Sequence, residues 1–204
     1  MAKAKIKVLF SDLGGVLLTN GWDRHSRDKA IEKFHLDGKE FESRHQLLFG
    51  DYESGKISLQ TYLRYTVFYR PCSFSYEAFT EFMYAQSTPL PGMLDYVRSV
   101  KKEHGLKVVA ISNEGKELTD FRIESFGLRE VIDFFIVSCY IGIKKPDIKV
   151  WQLALDLTQV KPGEVIYLDD RQLFVDLAKD LGMHAFCHKN LAETNAALEK
   201  LLKD

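Results

Sequence analysis

Cysteine is scarce. Cys72, Cys139 and Cys187 are the only three in 204 residues; none stands in a CxxC pair or other metal-type spacing, and an odd number argues against a disulfide framework. A reducing compartment is implied. Charge of one sign is also lacking. The 28 basic and 29 acidic residues nearly cancel, which removes any overall field favouring nucleic acid or an anionic membrane and leaves anion binding to local groups. No apolar run approaches the length of a membrane span. After the basic start MAKAKIK, Ser11 and Asp12 interrupt the first apolar run, so it does not read as a signal peptide. A cytoplasmic protein is the expectation. Internal repeats and low-complexity tracts are absent. What remains, at 46% hydrophobic residues, is core enough for a single domain or a domain carrying a large insertion.

The stretch KIKVLFSDLGGVLL, Lys5 to Leu18, is where the chain declares itself. Val8, Leu9 and Phe10 suit a strand buried on both faces of a parallel sheet, and Gly14 and Gly15 then break it. A carboxylate at the carboxyl end of such a strand, Asp12, stands where open α/β sheets place their ligands.

From about residue 20 to 88 the strand signals vanish and the sequence reads as helices with short breaks. Ser58 and Ser75 are candidate N-caps for helices over 59–69 and 76–85, and Gly50 and Gly55 punctuate what precedes them. Nine aromatics lie between Tyr62 and Tyr84, out of 25 in the chain, so these helices pack against something. A bundle filling its own core is the simplest account, with a homodimer surface or an apolar substrate wall as alternatives. His35 and His45 have no metal-type partner at helical spacing and read as surface residues. Trp22 and Trp151 read as packing.

Thr88, Pro89 and Pro91 mark a return, with Pro91 placed to open a helix over 91–102. Strands at 107–111, 134–137, 165–168 and 184–186 then alternate with helices around 117–126, 148–157, 173–181 and 191–202. That alternation predicts an α/β fold, a Rossmann-like doubly wound parallel sheet. Residues 1–19 with 89–204 form the core, and residues 20–88 a helical insertion.

Three later segments end apolar runs in polar residues as the first one does: VVAISN at 108–113, IGIKKPD at 141–147 and VIYLDD at 165–170. With FSDLGGVL they resemble, in order and spacing, the four motifs of the haloacid dehalogenase-like hydrolase superfamily, and the insertion resembles its C1 cap. The resemblance implies a covalent mechanism with Asp12 as nucleophile. It makes Ser112 and Asn113 phosphate-binding residues and Lys145 the lysine that pairs with nucleophile and phosphate, Lys144 being the alternative. It implies Mg²⁺ held by Asp12, the Gly14 carbonyl and Asp170, with Asp169 in support. Oxygen donors of this kind suit that ion. The expected substrate is a small phosphorylated metabolite.

Two departures qualify this. Phosphatases of the superfamily carry a second Asp two residues after the nucleophile, as general acid and base; here that residue is Gly14. Such a group contributes roughly 10² to 10⁴ in rate, so good leaving groups should suffer least. Asp23, Arg24, His25 and Glu114 are the candidate substitutes. The fourth motif often places an Asp or Asn four residues after Asp170, where Phe174 stands instead; Asp147 and Asp176 are the candidates to compensate. Two other readings fit the same residues. One is a metal-free 2-haloacid dehalogenase, for which Arg24 and Arg44 are the basic residues near at hand. The other is a catalytically weak binding protein.

Overall fold

Each predicted strand forms; the central ones are short runs rich in β-branched or aromatic residues that both faces of a sheet bury. In a computed structural model, which describes residues 5–202, β1 (Val8–Ser11), β2 (Lys107–Ser112), β3 (Phe134–Val137), β4 (Val165–Asp169) and β5 (His184–Cys187) pair in the order β3-β2-β1-β4-β5. All four pairings are parallel. With β1 central, the residues that follow β1, β2 and β4 converge at one carboxyl edge.

Side chains alternate across β1. Leu9 joins an apolar layer with Met93, Val97, Ile123 and Leu198, while Val8 and Phe10 face the opposite layer with Trp151, Phe174 and Val175. The covering helices are α5 (Met93–His104), α6 (Lys116–Ser125) and α10 (Leu191–Leu202) on the first face, and α8 (Lys149–Thr158) and α9 (Gln172–Asp180) on the second. A four-residue helix, α7 (Ser138–Ile141), follows β3 and lies outside the sequence reading.

Helices α1 (Arg24–Phe34), α2 (Gly38–Glu53), α3 (Leu59–Thr66) and α4 (Tyr76–Ala85) build a third apolar cluster from Trp22, Phe41, Tyr62, Phe79 and Met83. The chain leaves and re-enters the sheet layer side by side. Leu90 N donates to Leu17 O at 2.9 Å, and Thr19 N to Thr88 O at 2.8 Å. Leu118 of α6 joins the third cluster, and Phe121 stacks on Tyr84 at 4.5 Å between centroids. No described helix is long and apolar enough to cross a membrane.

Ser58 and Ser75 cap α3 and α4 as expected, and Trp22 and Trp151 are both buried. Three local readings are corrected. Gly50 lies inside α2 rather than at a break, since fifteen other residues of good enough propensity carry the helix through it. The helix after Pro91 starts at Met93, because Gly92 takes a positive φ of 73° and forms the cap. His45 is buried, not superficial: its Nδ1 lies 2.8 Å from the Tyr62 hydroxyl, which also accepts from Trp22 Nε1 at 3.1 Å.

Candidate active site

Asp12 follows β1 directly, and its carboxylate Oδ1 accepts from Leu13 N at 2.8 Å. The ammonium of Lys145 lies between two carboxylates, 2.9 Å from Asp12 Oδ2 and 2.6 Å from Asp169 Oδ2. Lys145 is held from behind by Asn113, whose side chain accepts from Lys145 N at 2.9 Å and donates to Lys145 O at 2.8 Å. Asn113 therefore positions the lysine through its amide. Lys144 points elsewhere, to Glu53 at 3.0 Å.

Asp169 is fully buried. Its oxygens accept from Lys145, the Tyr167 hydroxyl and Arg171 N, which leaves it little capacity for another ligand. Asp170 is half-buried, and among the described residues its carboxylate accepts from Asn20 Nδ2 at 3.2 Å. Gly15 makes room for it. With φ at +72°, a β-carbon there would come within 2.2 Å of Asp170 Oδ2, so both conformation and space demand glycine.

One oxygen each of Asp12, Asp169 and Asp170 lie within 4.8 Å of one another. Three crowded carboxylates against one ammonium leave excess negative charge, and a hard divalent cation with oxygen ligands fits such a set. Asp169 is fully enclosed, whereas Asp12 and Asp170 each border open space, so those two are the ones accessible to hold it. Burial pushes the Asp12 carboxyl above its ordinary value, Lys145 opposes this, and Asp169 adds to it. Burial also works against the charge of Lys145, but Asp12 and Asp169 outweigh it and hold the lysine above its ordinary value.

Ser112 faces Asp12 and stands 3.4 Å from Glu114 Oε1. Glu114 is buried and paired with Arg122, whose side chain is fully enclosed and also donates to Ser87 Oγ at 3.0 Å and Thr19 O at 2.8 Å. Burial raises the Glu114 carboxyl, with Arg122 opposing. Neither Arg122 nor Tyr167 was singled out by sequence. Arg122 left a trace, since it falls in line with Leu118 and Thr119 on the buried stripe of α6.

A cavity of about 270 Å³ opens over these groups, with Trp22, Phe49, Tyr52 and Glu53 from the helical insertion facing Asp12, Ser112 and Lys145. Of the substitute acids, Asp23, Arg24 and Glu114 line it; Asp23 also caps α1, and His25 lies instead on a second hollow beside Asp170. Asp147 and Asp176 are exposed, bonded to Lys149 N and Gln172 respectively, and do not line the cavity. Arg44, bound to Glu40 on α2, does not line it either.

The sequence model of the haloacid dehalogenase-like hydrolase family matches residues 6–182. The chain belongs to that family. A rat protein, bifunctional epoxide hydrolase 2, is 32% identical over 129 residues, 61% of this chain and 23% of that one. The chain thus spans less than a quarter of the length of that relative. The family enzyme bt-2542 of Bacteroides thetaiotaomicron, solved in complex with magnesium and inorganic phosphate, superposes with a TM-score of 0.76 at 20% identity, over 90% of this chain and 94% of that one. An L-2-haloacid dehalogenase from Xanthobacter autotrophicus, with chloropropionic acid covalently bound, gives 0.63 at 18% identity, over 95% and 82%. This hydrolase therefore shares its fold with an enzyme solved with magnesium and phosphate and with a haloacid dehalogenase.

Proposed function

We propose that this hydrolase is a Mg²⁺-dependent phosphatase of a small phosphorylated metabolite, working through an aspartyl-phosphate on Asp12, with α1–α4 as a C1-type cap. The carrying observation is the convergence of Asp12, Asp169 and Asp170, the first two paired with Lys145. Displacing halide from carbon needs one carboxylate nucleophile and no cation, so the acidic surplus has little purpose in that reaction.

In this reading Asp12 attacks phosphorus, the P–O bond to the leaving group breaks, and water then hydrolyses the acyl phosphate to return Asp12 and inorganic phosphate. Lys145 and Ser112 hold the phosphoryl oxygens, and Asp169 with Asn113 keeps Lys145 in place. A bound Mg²⁺, held by Asp12, the Gly14 carbonyl and Asp170, supplies charge neutralisation at the phosphate. Trp22, Phe49 and Tyr52 exclude water from the cavity. Since Gly14 offers no proton, the substrates best served are those whose leaving oxygen departs unprotonated: acyl, aryl or anomeric phosphates. The location belongs to the same reading, a reducing cytoplasm consistent with three unpaired thiols.

Gly14 is also what favours a second reading, 2-haloacid dehalogenation, because halide leaves without a proton. The deciding assay sets acetyl phosphate, an aryl phosphate and a sugar phosphate against wild type and Asp12→Asn, with Mg²⁺ and with chelator. Mg²⁺-dependent phosphate release, absent in the variant and fastest for the activated esters, is the expected result. Release of chloride from a 2-chloroacid in chelator, with no phosphate released, would replace this reading by the second.

A further inference from the structure

The cations that line the cavity are not equivalent. Arg24 is 2.9 Å from Asp28, Arg27 is 2.8 Å from Glu42, and Lys145 is shared by Asp12 and Asp169. Arg171 alone makes no close ion pair among the described residues; it acts on Glu53 only at longer range, and Lys144 already holds that carboxylate at 3.0 Å. Its backbone is fixed, since Arg171 N donates to Asp169 Oδ1 at 2.9 Å. Its guanidinium carbon stands 5.6 Å from the centroid of the Phe174 ring, and Lys145 Nζ stands 5.0 Å from the same centroid.

Phe174 stands where the resemblance implies an Asp or Asn in the fourth motif. An Asp at that place would have two cations to neutralise. The ring instead attracts both through its face without cancelling the charge of either, and its burial against Trp151 fixes its plane. An exposed guanidinium with no ion pair of its own is thus left on the wall of a cavity of about 270 Å³, within reach of any small molecule whose phosphate lies at Lys145.

We propose that Arg171 receives a second anionic group of the substrate, carboxylate or phosphate, at the end remote from the phosphoryl group undergoing transfer. This rests on the phosphatase reading and narrows its substrate class to small bis-anions. The planar fork of the guanidinium matches either group in bidentate fashion. Phe174 acts as a positioning residue, holding the fork rather than touching the ligand.

The test separates binding from turnover. Dissociation constants of phosphonoacetate, methylenediphosphonate and methylphosphonate are measured in the presence of Mg²⁺ for wild type, Arg171→Gln, Arg171→Lys and Phe174→Asp. The two bis-anions should bind wild type at least tenfold more tightly than methylphosphonate, as a charge-assisted contact implies. Arg171→Gln should abolish that ratio, Arg171→Lys should restore part of it, and Phe174→Asp should reduce it by giving Arg171 a partner. The better of the two bis-anions names the second group. A ratio unchanged by Arg171→Gln, or near one in wild type, overturns the proposal. An Arg171-dependent ratio without phosphate release from any ester would keep the subsite and discard the phosphatase reading.

Discussion

The Nη1 atom of Arg122 lies 3.8 Å from the point where a β-carbon on Gly14 would stand, with Asn20 Oδ1 2.9 Å from the same point. The place where related phosphatases carry their proton-transferring Asp is therefore bordered by a buried cation and an amide. Arg122 is itself bound to Glu114, so the charge beside Gly14 is already balanced.

Restoring the acid should accordingly fail. The side chain of Gly14→Asp would meet the guanidinium, which holds a carboxyl ionised, and would force Asn20 to shift away from Asp170. Activity on an alkyl phosphate should rise less than about tenfold, short of the roughly 10² to 10⁴ of a well-placed acid. Rates on one alkyl and one aryl ester, wild type beside variant, check this; a hundredfold gain confined to the alkyl ester would show the new carboxyl free of Arg122.

Glu114 and Arg122 should depend on each other. Removing either leaves the other buried without its counter-charge, at a cost of about 3 to 5 kcal/mol. The double substitution Glu114→Gln with Arg122→Met should cost less than the two single ones added. Denaturant unfolding of the three variants measures the coupling, and strict additivity would contradict the pairing.

The sequence offered two adjacent lysines, and the structure gives them different partners, Asp12 and Asp169 for Lys145 and Glu53 for Lys144. Lys145→Met should lower turnover of acetyl phosphate on the order of 10² to 10³-fold, the scale for losing one preorganised electrostatic partner. Lys144→Met removes a pair whose lysine is 39% exposed, worth less than about 1 kcal/mol, and should leave turnover within a few-fold of wild type. Comparable losses in both variants would contradict the assignment.

How much of this could be read in advance follows from where each signal resides. Asp12, Ser112 and Asp170 each stand at or just beyond the end of an apolar strand, and Lys145 directly precedes Pro146, so local pattern and order sufficed. Arg122 gives no such signal, because its partners Ser87 and Thr19 lie 35 and 103 residues away. His45 was misread for the same reason: Tyr62 is on another helix, 17 residues on. Arg171 carries no signal in the sequence, and its place on the cavity wall appears only in the fold. Charge compensation is a property of the assembled fold, and sequence spacing does not carry it.

Burial sets the charge on Asp12 against the stability of the fold. Its carboxyl is raised by burial and by Asp169, so its ionised form is disfavoured in the native state. In chelator, Asp12→Asn should raise the melting temperature. Mg²⁺ should then stabilise wild type more than the variant, because cation binding is linked to the folded state. Thermal melts of both proteins with chelator and with Mg²⁺ decide this; a lower melting temperature for Asp12→Asn in chelator would mean that pairing with Lys145 outweighs the crowding.

The last prediction concerns acid stability. Trp22 Nε1 donates to the Tyr62 hydroxyl, which is therefore free to give its own proton to His45 Nδ1. That nitrogen must be unprotonated, and burial, with Arg27 adding to it, lowers the His45 pKa to about 4. The unfolded chain, with an ordinary histidine value of 6.5, binds more protons between those limits, so stability is full above about 6.5 and is lost as pH falls toward 4. Partial solvent access reduces the effect to on the order of 2 kcal/mol. Because Trp22 lines the cavity, the same protonation should loosen the wall facing Asp12. His45→Gln can still accept from Tyr62 but does not titrate, and unfolding of wild type and variant at pH 7 and pH 5 should show the wild type losing more. Equal losses in the two proteins would place the acid sensitivity elsewhere.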